Sequence, residues 1–220
     1  MRYTAIVPVK RNSSRLPGKN LLSLGKESLL ERKITQLKVS GIADRIIVSS
    51  DSDEMLSLGL AMGVEAIKRP GHFADESRPL SEFFRYIAEL FDEEHMIWAC
   101  VTSPFFDAKL MKEAKSIYEN NIGIGIDSLL TVYKFKHYLF DKDGPLNFKV
   151  GSEHLNSQQL ETIDLFTNGI LIAPRDNVKK WGYNFGPNPH RFYVNQIQSL
   201  DIDTEEDYEI AKAYQRFLER

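Results

Sequence analysis

Short apolar runs alternate with helical patterns across the first half of the chain, and few folds accommodate that alternation. Ala5-Ile6-Val7 reads as a buried strand. Ser28-Leu29-Leu30-Glu31 has the spacing of a capping box and predicts a helix whose apolar face carries Ile34 and Leu37. Arg45 to Ser49 reads as the next strand, Asp51 to Met62 as a helix closed by Gly63, and Val64 to Lys68 as a short strand. Leu80 to Phe91 carries Phe83, Phe84, Ile87, Leu90 and Phe91 at helical spacing, Met96 to Val101 reads as a strand and Ala108 to Tyr118 as a helix. Strand, helix, strand, helix with short links predicts parallel strands joined by right-handed crossovers, and so a three-layer α/β/α fold with a mostly parallel sheet. Such sheets bind ligands at the carboxyl ends of their strands, which directs attention to the loops after Val7, Val48, Lys68 and Val101.

After Thr131 the pattern changes. Residues 133–165 are polar and aromatic, with Asp141-Lys142-Asp143-Gly144-Pro145 as a turn, and read as an arm inserted into a single domain spanning 1–220. Gly169 to Ala173 returns to a core strand. Thr204-Glu205-Glu206-Asp207 is a second capping box, opening a final helix that runs to about Leu218. A length of 220 residues allows one sizeable core. The net charge of -3 argues against a general nucleic-acid binder. No apolar run approaches membrane-spanning length, and Ala5 to Val7 is too short for a signal-peptide core. A lone cysteine, Cys100, excludes an intrachain disulfide and fits a reducing cytoplasm. His72, His95, His137, His154 and His190 show no metal-ligand spacing.

The modest net charge conceals an asymmetry. Met1 to Lys26 holds six basic residues and no acidic one, whereas Asp201 to Glu209 holds six acidic residues and no basic one. A fold that joins these ends would make a site for a polyanion together with a divalent cation. The basic cluster centres on the loop after the first strand, where Lys10, Arg11, Arg15 and Lys19 are interleaved with the small residues Ser13, Ser14 and Gly18. Small residues let backbone N–H groups approach an anion, and the basic side chains supply charge, which is the chemistry a nucleoside triphosphate requires. It is not a Walker loop, because no Gly-Lys-Ser/Thr opens a helix here. At the other end, an extended Asp201-Ile202-Asp203 would turn both carboxylates to one side, where they could hold a hard cation.

The segment Pro8-Val9-Lys10, then Ser13, Arg15 and Leu16-Pro17-Gly18-Lys19-Asn20, resembles the amino-terminal signature of the cytidylyltransferases that activate eight- and nine-carbon keto-sugar acids. The terminal Asn20 leans towards the acylneuraminate branch, which is related to the 3-deoxy-manno-octulosonate enzymes. Val48-Ser49-Ser50-Asp51, Arg69-Pro70, Thr102-Ser103-Pro104, Asn168-Gly169 and Asp201-Ile202-Asp203-Thr204 match further family segments in order. Three positions depart, Val101 standing where the family has a proline, and two of them change the chemistry. The family's arginine is Lys10, which keeps the charge but loses bidentate phosphate bonding. The family's glutamine at the sugar-acid pocket is Cys100, which cannot replace its hydrogen bonds.

The resemblance implies a cytidylyltransferase that joins CTP to a 2-keto-3-deoxy sugar acid with release of pyrophosphate, using Mg2+, in a homodimer made by the arm. It implies nucleotide contacts from Pro8, Val9, Lys10, Arg11, Arg15, Lys19, Asn20, Arg69 and Ser77, with Ser81 competing for the role of Ser77. It implies sugar contacts from Cys100, Thr102, Ser103 and Asn168, metal ligation by Asp201 and Asp203, and catalysis by Lys19 with that pair. Three other readings stay open: a nucleotidyltransferase for another acid such as a phosphonate, a glycosyltransferase whose Asp-x-Asp holds a metal–nucleotide sugar, and a protein that binds CTP without turnover.

Overall fold

The structure, a computed structural model, describes residues 1–73 and 79–220. Its centre is a seven-stranded sheet: β1 (Tyr3–Pro8), β2 (Arg45–Ser50), β3 (Glu65–Lys68), β4 (His95–Trp98), β5 (Ser128–Phe135), β6 (Ile163–Pro174) and β7 (Pro189–Val194), in the spatial order β7-β5-β6-β4-β1-β2-β3. β1 pairs in parallel with both β2 and β4, β2 with β3, and β5 with β7, while β6 runs antiparallel to both β4 and β5. In this sheet β6 alone is reversed. The sheet is mostly parallel, as the alternating sequence pattern predicts.

Helices cover both faces, which explains the near-continuous apolar strands. On one face, Tyr3, Ala5 and Val7 of β1 pack with α1 (Leu29–Ser40), α2 (Asp53–Ala61), α4 (Ala108–Asn121) and α6 (Glu205–Leu218). On the other, Ile6 packs with Phe83, Phe84 and Ile87 of α3 (Leu80–Ala88) and Val178 of α5 (Arg175–Trp181). Both predicted capping boxes form. The Ser28 amide donates to Glu31 at 2.7 Å and the Glu31 amide returns to Ser28 Oγ at 3.2 Å; Thr204 and Asp207 make the equivalent pair at the start of α6. α1 ends at Gly41, whose φ of 60° is the left-handed conformation that glycine adopts without a Cβ penalty.

The helix over Leu80–Phe91 stops at Ala88, and the strand over Met96–Val101 is His95–Trp98, so Ala99 to Thr102 is free to form a loop at the sheet's carboxyl edge. β5, α5 and β7 are additional to the elements read from the sequence. Pairing of β5 with β6 extends to Phe135 and Ile163, and between them lie a two-residue hairpin, Phe140–Asp141 with Gly144–Pro145, and the 3-10 turn Ser157–Gln159. Among the described residues no helix is long and apolar enough to cross a membrane.

Candidate active site

The loop after β1 is shaped by its own sequence. In Leu16-Pro17-Gly18-Lys19 the Lys19 amide donates to the Leu16 carbonyl at 3.3 Å, and Gly18 sits at φ 67°, ψ 11°. Proline then glycine at the central positions, the glycine at positive φ, is the signature of a type II turn. With Leu16 buried as an anchor, this turn delivers Lys19 inward. The Lys19 Nζ donates to Asp203 Oδ1 at 2.7 Å and to the Ile202 carbonyl at 3.1 Å, and Arg15 pairs with the other oxygen of Asp203 at 2.9 Å. The basic amino-terminal segment and the acidic carboxyl-terminal segment therefore meet across more than 180 positions of sequence.

The other wall comes from the ends of β2 and β3. The Val9 amide donates to the Ser49 carbonyl at 3.0 Å, extending the ladder past Pro8. Arg69, only 5% exposed, donates from its guanidinium to the Val9 carbonyl at 2.8 Å, lies 3.7 Å from Asp51 and sits 5.0 Å above the Phe83 ring. Burial lowers its pKa, with Asp51 acting in the opposite direction. Asp51 also accepts from the Arg11 amide at 2.8 Å. Asn20 is buried, and its side-chain amide donates to the Lys10 carbonyl at 2.9 Å. Arg69 and Asn20 thus hold the backbone of the loop in shape from both sides.

The floor is made where β4 ends and β6 deforms. The β5–β6 register shifts between Thr167 and Leu171. The Thr167 hydroxyl donates to Thr131 Oγ1 at 2.9 Å, and Thr131 donates to the Thr167 carbonyl at 2.9 Å. Such bulges re-aim a side chain. Here Asn168 turns to donate from Nδ2 to Asp201 Oδ2 at 2.6 Å. Gly169 is required beside it, because a Cβ there would lie 2.7 Å from the Phe106 ring and 3.0 Å from Thr131 Oγ1. Ile202 is fully buried between the two aspartates, and its amide donates to the Thr102 carbonyl at 2.8 Å. Asp201 Oδ1 is buried with no hydrogen-bond partner, an acceptor available to a ligand. Asp203 does not cap α6; Thr204 does.

Pro8, Val9, Lys10, Lys19, Asn20, Arg69, Cys100 and Thr102 line one cavity of 190 Å3, joined by Ser13 and Val101. Asp201, Asp203, Arg15 and Asn168 are not among the residues that line it; Arg15 pairs with Asp203, whose other oxygen accepts from the lining residue Lys19, and Asn168 donates to Asp201. The side chains of Arg11 and Ser103 do not line the cavity; Ser103 is buried, with its carbonyl turned to Lys33. Ser77 lies outside the described residues, and Ser81 lies on α3. Burial pushes the Cys100 thiol up to about 12, with Asp201 acting in the same direction, so it is not a thiolate nucleophile at neutral pH. Ser13, whose hydroxyl is buried without a partner, is a wall residue that the sequence places in the loop signature but not among the nucleotide contacts. Asp51 reads in sequence as the first residue of a helix, yet α2 begins at Asp53 with Ser52 at its cap position, and Asp51 serves Arg11 and Arg69 instead. Among the described residues no group of three or more His, Cys, Asp or Glu could hold a metal ion.

Comparison with known proteins places the chain in a family. The N-acylneuraminate cytidylyltransferase of Streptococcus agalactiae serotype III is 23% identical over 214 residues, 94% of this chain and 52% of that protein. This chain spans about half the length of that relative. The pseudaminic acid cytidylyltransferase of Campylobacter jejuni is 24% identical over 224 residues, 96% of this chain and 95% of that protein. In structure, CMP:2-keto-3-deoxy-manno-octonic acid synthetase complexed with CTP superposes with a TM-score of 0.72 at 13% identity, over 99% of this chain and 100% of that one. The cytidylyltransferase profile matches residues 4–167, three-quarters of the sequence, and the chain belongs to the cytidylyltransferase family.

Proposed function

We propose that this protein couples CTP to a 2-keto-3-deoxy sugar acid of the nonulosonate kind, giving a CMP-sugar and pyrophosphate. The observation that carries the reading is the meeting of Lys19, which lines the cavity, and Arg15 with Asp203, two residues from Asp201, whose Oδ1 is buried without a partner. In the proposed reaction the anomeric hydroxyl attacks the α-phosphorus in line, the bond to the bridging oxygen of the β-phosphate breaks, and the hydroxyl proton leaves to solvent. Catalysis rests on positioning and charge neutralisation. Lys19, Arg15 and Lys10 bind the triphosphate, Lys19 and Arg15 exchanging their carboxylate partner for phosphate oxygens. The backbone of Pro8 and Val9, held by Arg69 and Asn20, receives the nucleotide. Cys100, Thr102 and Asn168 face the acceptor.

The donor set suits magnesium, which is held by one or two carboxylates together with substrate phosphates. Asp201 and Asp203 would hold it, and the orphaned Asp201 Oδ1 is the observation that supports this. Bound there, the ion would neutralise charge on the departing pyrophosphate. The lone thiol fits a reducing cytoplasm. The test is pyrophosphate release from CTP with magnesium over a panel of sugar acids and phosphonates. Release with a nonulosonate is the expected result. Release only with a phosphonate would replace the acceptor, and transfer from a nucleotide sugar without pyrophosphate release would overturn the reading.

A second copy of the chain is the partner that the arm supports. Phe140, Leu146 and Val150 are exposed there, as are Leu165 and Phe166 on the adjoining strand. Light scattering is expected to give a dimer mass, and a monomer mass at micromolar concentration would remove this assignment.

A further inference from the structure

One residue on the core side of α1 is out of character with its place. The helix buries Leu29, Leu30, Ile34 and Leu37 and, between them, Lys33, which is 0% exposed. Its Nζ donates to the Ser103 carbonyl at 2.9 Å and to the Phe106 carbonyl at 3.5 Å. One turn along, Gln36 donates from Nε2 to the Pro104 carbonyl at 2.7 Å. Three carbonyls of a single loop are therefore gripped from one helix. Burial draws the Lys33 ammonium down to about 7; Cys100, Asp107 and Asp201 act against that fall and Arg32 adds to it. A methionine would fill similar space without desolvating a charge, but it would leave the Ser103 and Phe106 carbonyls without this donor. What Lys33 adds over an apolar residue is its hold on that loop.

The gripped loop begins where the cavity ends. Thr102 lines the cavity, and its carbonyl accepts from the Ile202 amide at 2.8 Å. The Ile202 carbonyl in turn accepts from Lys19 Nζ at 3.1 Å, and Ile202 separates Asp201 from Asp203. We propose that Lys33 is a positioning residue: together with Gln36 it braces the Ser103–Phe106 loop, so that Thr102 keeps Ile202, and with it Lys19 and the two aspartates, in register over the cavity. The kinetic part of this proposal rests on the cytidylyltransferase reading; the structural part does not.

The experiment compares the full chain with Lys33→Met and Gln36→Leu in two measurements. Amide hydrogen exchange is followed without any ligand, and pyrophosphate release is followed with CTP, magnesium and the accepted sugar acid. In Lys33→Met the Ile202 amide is expected to exchange faster in a protein that still folds. The kcat is expected to fall by about 10- to 100-fold, more than KM for CTP rises, as a displacement of about 1 Å in reacting groups would cause. Gln36→Leu is expected to move both measurements the same way by less. Unchanged Ile202 exchange in a folded Lys33→Met protein would overturn the brace, as would an unchanged kcat. Should Lys33→Met not fold, unchanged exchange and kcat in Gln36→Leu would overturn it instead. A wild-type chain that releases no pyrophosphate with any acceptor overturns the enzymatic reading alone, and the exchange measurement still decides the brace.

Discussion

Asp201→Asn is expected to lower turnover by about a hundred- to a thousandfold, the scale of losing one preorganised electrostatic contact, while the protein melts as before. Asparagine keeps an oxygen that can accept from Asn168, so the 2.6 Å contact that ties the β6 bulge to the 201–203 segment has a substitute. What disappears is the negative charge on a carboxylate whose Oδ1 is buried without a partner. If that oxygen is a ligand of magnesium, the variant needs more of the ion and remains slow when saturated. Pyrophosphate release over a magnesium titration, with melting followed by circular dichroism, gives both quantities. Turnover within a factor of a few of the wild type at saturating magnesium would take Asp201 out of the mechanism.

Lys19→Ala is expected to weaken CTP binding by about 10- to 100-fold, since a hydrogen bond to a charged group contributes about 1.5–3 kcal/mol. Lys19 has two partners in the protein, the Ile202 carbonyl at 3.1 Å and Asp203 at 2.7 Å. Asp203 has a second cation in Arg15, which is mostly exposed and lies 2.9 Å away. The truncated protein therefore leaves no buried charge stranded, and the loss should register in binding and not in stability. Calorimetric titration with CTP measures it directly. Binding equal to that of the wild type would remove the basic loop from nucleotide recognition.

Much of the fold was legible in the sequence because its strands and helices are strongly periodic. Ile34 and Leu37 fall on the buried face of α1, and the capping boxes at Ser28 and Thr204 mark helix starts by chemistry that acts within four residues. The elements that escaped are those whose burial is set by distant neighbours. In β7, Phe192 and Val194 are buried while Arg191 and Tyr193 face outwards, a half-buried edge too short to stand out. α5 buries Val178 alone of its seven residues, so no helical period is present to read. At the site, the two charged ends were visible as a composition, and their contact follows from the path of the chain. The roles of Asp51, named only as part of a matching segment, and of Lys33 escaped for one reason: a carboxylate at a helix start and a lysine in a helix look like ordinary surface chemistry until the fold places Arg69 beside one and closes the core over the other.

The single reversed strand has a consequence for how such a protein can diverge. β5 points the same way as β4, and β6 returns against both, so residues 136–162 leave and rejoin the sheet at the edge where the cavity opens. Flexible surface excursions tolerate changes in length at little thermodynamic cost. The ladder from Ile163↔Phe135 to Thr167↔Thr131, with the bulge that aims Asn168, lies between that excursion and the core and insulates the core from it. Insertions and deletions there would leave the loop from Lys10 to Asn20, held by Arg69, by Asn20 and by its own turn, as it is. Changes of length in residues 136–162 can thus be absorbed without disturbing the core or the loop after β1.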